Sequence, residues 1–246
     1  MKSIIICEGE TDFVFLQNFM IKVNGWKDPG RNKAPSFKSN INNSLSRDFF
    51  KDSNMLTIIS CGGCRNIKTV FEEVIRKNEN EIEDSERYTK IVVLTDNDDD
   101  CVETRIVSEL NDSVKNNIPI SSNNNWTSLT FKDASQNQFN CELLLLIIPF
   151  NENGALETFL LDSVSKADSY DAEIIRKAKE FVDSADSEKK YLTHRGFVTK
   201  AKLYAYFAIR IEPTINQFSQ RKDIFTKIPW EEYENIREVF KELKKL

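Results

Sequence analysis

The chain has 246 residues, 40% of them hydrophobic and 30% charged, with a formal net charge of −5 at pH 7. That is the composition of an ordinary globular protein, and its length accommodates one large domain or two small ones. No apolar run approaches the roughly 20 residues of a membrane-spanning helix, so no membrane partner is expected. Met1-Lys2-Ser3 leads directly into a strand-like run, so no signal peptide is expected and the cytoplasm is the expected location.

In chain order, the β-branched run at residues 2–7 predicts a first strand. A helix over 11–23 follows, with Val14, Leu16, Phe19, Met20 and Val23 on a broad apolar face and Thr11 or Asp12 able to cap it. Residues 24–54 are polar and carry Pro29, Gly30 and Pro35, which predicts an excursion from the core holding a short helix near 43–51. A second strand at 55–60 ends at Gly62-Gly63, and a helix over 66–78 carries Ile67, Val70, Phe71, Val74 and Ile75. A third strand at 90–95 precedes a helix over 101–111 with Val102, Ile106 and Leu110 in phase. The Asn- and Ser-rich stretch 112–140 is a second insertion, with a β-ribbon through 126–131. A fourth strand at 142–148 stops at Pro149. Helices are predicted over 155–161, 172–183, 199–211 and 231–245.

Strands alternating with helices define right-handed βαβ units. The expected fold is α/β, a Rossmann-like parallel sheet of about four strands with helices on both faces. Residues 1–165 form this domain, with insertions near 24–54 and 112–140, and 166–246 form a mainly helical C-terminal extension packed on it.

Five cysteines, Cys7, Cys61, Cys64, Cys101 and Cys141, are odd in number and scattered, as expected of reduced and mostly buried thiols. Cys61 and Cys64 form a lone CxxC, and His194 is the sole histidine, too few ligands for a zinc site. Charge is uneven. Residues 188–227 hold nine Lys/Arg against three acids, a balance of +6, which leaves −11 for the rest. A basic stretch with Lys189, Lys190, Arg195, Lys200 and Lys202 suits a phosphate-bearing polymer, and also suits an ordinary solvated helical face.

Two acidic clusters follow two of the strands. Glu8-Gly9-Glu10-Thr11-Asp12 follows the first, and Asp96-Asn97-Asp98-Asp99-Asp100 ends the third. Either alone reads as a helix cap or a solvated turn. Parallel sheets bind ligands beyond the carboxyl ends of their strands, so together the clusters aim several carboxylates at one volume. Like charges crowd only where a cation neutralises them or some stay protonated. Hard oxygen donors suit Mg²⁺ or Mn²⁺. Glu8 and Asp12 share a helical i, i+4 spacing, and Asp96 and Asp98 converge if their turn curls.

Glu-Gly-Glu-Thr-Asp after one strand and Asp-Asn-Asp-Asp-Asp after a later one resemble the TOPRIM domain of topoisomerases, bacterial primases, small ribonucleases and OLD-family nucleases. The match spans about residues 2–165, and the Glu-x-x-x-Asp form is closest to the OLD-like branch. The whole chain resembles uncharacterised bacterial proteins of a TOPRIM-like family of unknown function. There are departures: acids stand where many TOPRIM sequences have a glycine after Asp-x-Asp, and neither the ATPase domain of OLD nucleases nor a Walker A run is present.

The resemblance implies that Glu8 is a metal ligand or general acid/base and that Asp96, Asp98 and Asp12 bind metal, with Asp100 and Glu10 as further candidates. It implies that Glu157 is the later Glu of a two-metal site and that Lys200 or Lys202 is the downstream catalytic Lys. As ordinary residues, Glu157 would be an exposed helix position and the lysines part of a solvated face. The expected function is Mg²⁺- or Mn²⁺-dependent phosphoryl transfer, hydrolysing phosphodiester bonds in DNA or RNA. The alternative is a non-catalytic module that binds nucleic acid or a separate partner protein.

Overall fold

The computed structural model describes residues 1–30, 33–114, 123–211 and 225–246. These residues divide into two compact units, Met1–Asn153 with Glu242–Leu246, and Gly154–Lys241.

The first unit is built on a six-stranded sheet of β1 (Lys2–Cys7), β2 (Leu45–Lys51), β3 (Asn54–Ser60), β4 (Tyr88–Asp96), β5 (Trp126–Lys132) and β6 (Gln138–Ile148), ordered β2-β3-β1-β4-β6-β5. Strands β3, β1, β4 and β6 run parallel, while β2 and β5 pair antiparallel at the two edges. The sheet is therefore mixed and two strands wider than the four-stranded parallel sheet expected. Both extra strands come from the insertions. Residues 43–51 form an edge strand and not the expected helix. The cause is non-local: Phe49 is fully buried, and the Asp48 carboxylate accepts from Ser36 N at 2.7 Å and from Thr57 Oγ1 of β3 at 2.7 Å. Asp52, with φ +53°, makes the tight turn into β3.

Three helices complete the crossovers: α1 (Glu10–Lys22), α2 (Ile67–Asn80) and α3 (Val102–Val114). The path moves from β1 to β3 in one direction, then from β3 past β1 to β4 and on to β6 in the other. Because such crossovers are right-handed, this reversal puts α1 on one face and α2 and α3 on the other. The second face is a continuous apolar core in which Ile4, Ile6, Ile91 and Val93 meet Val70, Phe71 and Val74 of α2 and Ile106 and Leu110 of α3. Each such side chain, removed from water, contributes about 1.5–3 kcal/mol. On the other face Ile5, Ile58 and Val92 are fully buried, as are Phe15 and Leu16 of α1.

The second unit is helical: α4 (Leu156–Ala167), α5 (Ser169–Ala185), α6 (Arg195–Arg210) and α7 (Glu234–Val239). Asp168 caps α5 by accepting from Tyr170 N and Asp171 N. The expected helix over 231–245 is instead a 3₁₀ turn at Trp230–Glu232, the short α7 and a second 3₁₀ turn at Lys241–Lys245. An aromatic cluster of Phe207, Phe225 and Trp230 anchors this region, with ring centroids 5.3–6.2 Å apart.

Candidate functional site

Strands β1 and β4 are neighbours, and the chain leaves them in opposite directions. The gap beyond their carboxyl ends is the topological switch point of the sheet, where open α/β sheets bind their ligands. Both acidic clusters stand there. The register pairs Cys7 with Leu94, which brings Glu8 level with Thr95. Thr95 Oγ1 donates to Glu8 Oε2 at 3.1 Å. Glu8 is half-buried, as is Asp96 at the tip of β4.

The backbone under Glu8 is fixed from both sides. Cys61 N donates to Cys7 O and Gly63 N donates to Glu8 O, each at 2.9 Å. Gly63 has φ +131° and ψ 152°, a conformation that only glycine adopts without strain. Gly9 opens α1, and its N–H donates to Asp12 Oδ2 at 2.7 Å, so the buried Asp12 turns back toward the residue after Glu8. Glu10 is exposed in the same first turn.

The second cluster spreads out. Asn97 ties the end of β4 to the end of β6: its N–H donates to Ile148 O at 2.8 Å, and its Nδ2 donates to Pro149 O and Glu152 O, each at 3.0 Å. Asp98, Asp99 and Asp100 are exposed. Asp99 accepts from Cys101 N and pairs with Arg105 at the start of α3. Asp100 accepts from Asn153 Nδ2 at 2.9 Å.

The site carries a negative field. Burial first, then the carboxylates of Asp12 and Glu8 among other neighbours, push the Cys7 thiol well above its ordinary range. Burial, then Glu8 and Asp12, do the same to Cys61. Burial and then Glu8 also raise Cys64. All five cysteines are free thiols; Cys7, Cys61 and Cys141 are buried, Cys64 is half-buried and Cys101 is exposed.

Among the described residues, no three His, Cys, Asp or Glu side chains gather closely enough to hold a metal ion. A closed all-protein cage therefore does not fit this arrangement. Mg²⁺ asks for less: it is commonly held by one or two carboxylates and completed by waters and substrate phosphates. Glu8 and Asp96, hard oxygen donors at adjacent strand ends, fit that chemistry.

The remaining candidates belong to the second unit. Glu157 lies in the first turn of α4 and is buried rather than exposed. Lys200 is exposed on α6, and Lys202 pairs with Asp183 of α5 at 2.7 Å. Lys189, Lys190 and Arg195 are exposed on the turn between α5 and α6. Two residues at the sheet edge escaped the sequence reading. Thr95 looks like the last β-branched residue of a strand, and Asn97 like one more polar turn residue. Only the register shows what each one holds.

The fold and this edge define an α/β protein of Rossmann-like class, with a mixed sheet and an acidic switch point. The chain belongs to the DUF3226 family, described as a protein of unknown function, whose model matches residues 2–244. No curated protein matches the sequence. A solved structure, that of hypothetical protein PH0156 from Pyrococcus horikoshii OT3, is similar over 98% of this chain and 99% of its own, with 15% identity and a TM-score of 0.49.

Proposed function

We propose that the carboxyl edge of β1 and β4 is the active site of a Mg²⁺- or Mn²⁺-dependent phosphoryl-transfer enzyme, a nuclease of TOPRIM type acting on DNA or RNA. The observation that carries this reading is the placement of Glu8 and Asp96 on the two strands that flank the switch point. The resemblance of both clusters to TOPRIM motifs supports it.

Glu8, Asp96 and Asp98 are the residues that would hold the cation, with Asp12 behind Glu8. A divalent ion bound there supplies charge neutralisation at the phosphate and lowers the pKa of a bound water. The protein's own part is orientation. Thr95 steers the Glu8 carboxylate through Oε2, and Gly63 pins the Glu8 carbonyl. The buried strand ends beneath, Ile6-Cys7 and Val93-Leu94, keep water out of the floor. Glu157, Lys200 and Lys202 play no part in this reading, which rests on the first unit alone.

One observation favours a second reading, a non-catalytic module that binds nucleic acid or a partner protein: no three carboxylates converge among the described residues. Incubation of the purified chain with single- and double-stranded DNA and RNA, in Mg²⁺ or Mn²⁺, decides between them. Cleavage that disappears in the Asp96→Ala/Asp98→Ala variant is the expected result. Equal cleavage by that variant, or binding without cleavage of any substrate, overturns the catalytic reading.

A further inference from the structure

The turn joining α5 to α6 concentrates two kinds of side chain that a folded protein seldom exposes together. Tyr191 is 72% exposed, Phe181 65% and Phe197 52%. Residues 187–202 carry Lys189, Lys190, Arg195, Lys200 and Lys202 against Glu188 alone, a balance of +4 on a chain whose net charge is −5.

The turn is built rather than loose. Asp186 ends α5, and its carboxylate accepts the backbone N–H groups of Lys190 at 2.9 Å, Tyr191 at 2.9 Å and Leu192 at 2.7 Å. Lys189 takes the left-handed conformation, φ +52°, and its N–H donates to Asp186 O at 2.9 Å. The one nearby acid of α5 that could soften the positive field is thereby engaged with backbone donors. That engagement lowers the Asp186 carboxyl below its ordinary range, the Leu192 N–H contributing most. Tyr191 therefore projects from a fixed backbone, with Lys190 Nζ 5.3 Å from its ring centroid. Phe197 stands edge-on to His194, with centroids 5.4 Å apart. Among the described residues no ion pair involves Lys189, Lys190 or Lys200.

A solvated helical face needs lysines but gains nothing from uncovered aromatic rings, which lose free energy in water. A protein partner would be expected to meet an apolar core ringed by mixed charge. Exposed rings interleaved with cations of one sign match unpaired nucleotides: bases stack on the rings and phosphates meet the lysines. We propose that the α5–α6 turn binds single-stranded DNA or RNA, with Tyr191 as the principal stacking platform, Phe197 as a second, and Lys189, Lys190 and Lys200 as phosphate contacts. This deepens the nucleic-acid reading above by naming the substrate class.

The test is fluorescence anisotropy of labelled oligo(dT), oligo(rU) and a hairpin duplex with the full chain in EDTA, so that no step depends on metal. Both single strands should bind more tightly than the duplex. Tyr191→Ala should weaken single-strand binding about tenfold, and Tyr191→Phe should preserve it, because stacking needs the ring and not the hydroxyl. Lys189→Ala/Lys190→Ala should lower the slope of log affinity against log salt by roughly one. An unchanged melting temperature of Tyr191→Ala shows that the exposed ring is not needed for folding. Unchanged affinity in Tyr191→Ala, equal binding of duplex, or no oligonucleotide binding at all overturns the inference; the last outcome assigns the surface to a protein partner. Tyr191-dependent binding without cleavage in Mg²⁺ supports it while overturning the catalytic reading alone.

Discussion

Thr95 Oγ1 donates to Glu8 Oε2 at 3.1 Å, which joins the carboxyl ends of the two central strands through one side-chain hydrogen bond. Thr95 is 1% exposed, so its hydroxyl has little water to turn to instead. Thr95→Val keeps the shape and removes the donor. It is expected to cost about 1 kcal/mol of stability in urea unfolding, since Glu8 is only half-buried. It should weaken Mn²⁺ binding about tenfold by calorimetry, the usual consequence of losing a group that orients a ligand. Unchanged Mn²⁺ affinity would show that Thr95 does not position Glu8.

Gly63 holds the same residue through the backbone. A Cβ there would meet no atom within 4 Å, so crowding is not the obstacle to a larger residue. The obstacle is φ +131°, which costs a non-glycine residue about 1–3 kcal/mol. Gly63→Ala should therefore lower the unfolding midpoint and displace the Glu8 carbonyl, seen as altered exchange of the Gly63 amide. A variant as stable as the parent would show that the turn relaxes freely.

Alkaline pH should destabilise the fold through its buried thiols. Burial and then Glu142 push Cys141 up to about 12 from an ordinary 9.0, and burial foremost raises Cys7 and Cys61 too. The unfolded chain ionises these thiols first. Their contribution is therefore complete below pH 9 and is lost as pH rises toward 12. Urea midpoints should fall across that window. At neutral pH, alkylation of the native protein followed by mass spectrometry should label the exposed Cys101 first and spare Cys7, Cys61 and Cys141. Early labelling of Cys61 would contradict the burial argument.

Arg87 is 5% exposed and serves three segments at once. It donates to Asn78 O at 3.1 Å and Glu81 O at 2.6 Å past the end of α2, and to Asp133 at 3.0 Å in the β5–β6 turn. It also pairs with Asp84 and lies 4.7 Å from the Phe139 ring centroid. Arg87→Met removes the donors and leaves buried oxygens unpaired. A loss of about 3 kcal/mol is expected in urea unfolding. A loss below about 1 kcal/mol, the value of an exposed pair, would mean that water replaces the guanidinium.

Local chemistry alone identified the four parallel strands and their helices, because β-branched runs such as Ile4-Ile5-Ile6 and in-phase positions such as Val70, Phe71 and Val74 report their own burial. It also located both acidic turns, since acids directly after a buried strand stand at its carboxyl end wherever the sheet lies. It could not find β2. In Leu45-Ser-Arg-Asp-Phe-Phe-Lys51 the strand is stabilised by Thr57, Ser36 and the β3 register, all distant in sequence. Strand order was equally out of reach, and with it the fact that Glu8 meets Thr95 while Asp99 and Asp100 turn away to Cys101, Arg105 and Asn153. Residue type and spacing set which groups can ligate or stack. Which of them share a volume depends on hydrogen bonds and register between segments up to 87 residues apart, and only the folded chain contains those.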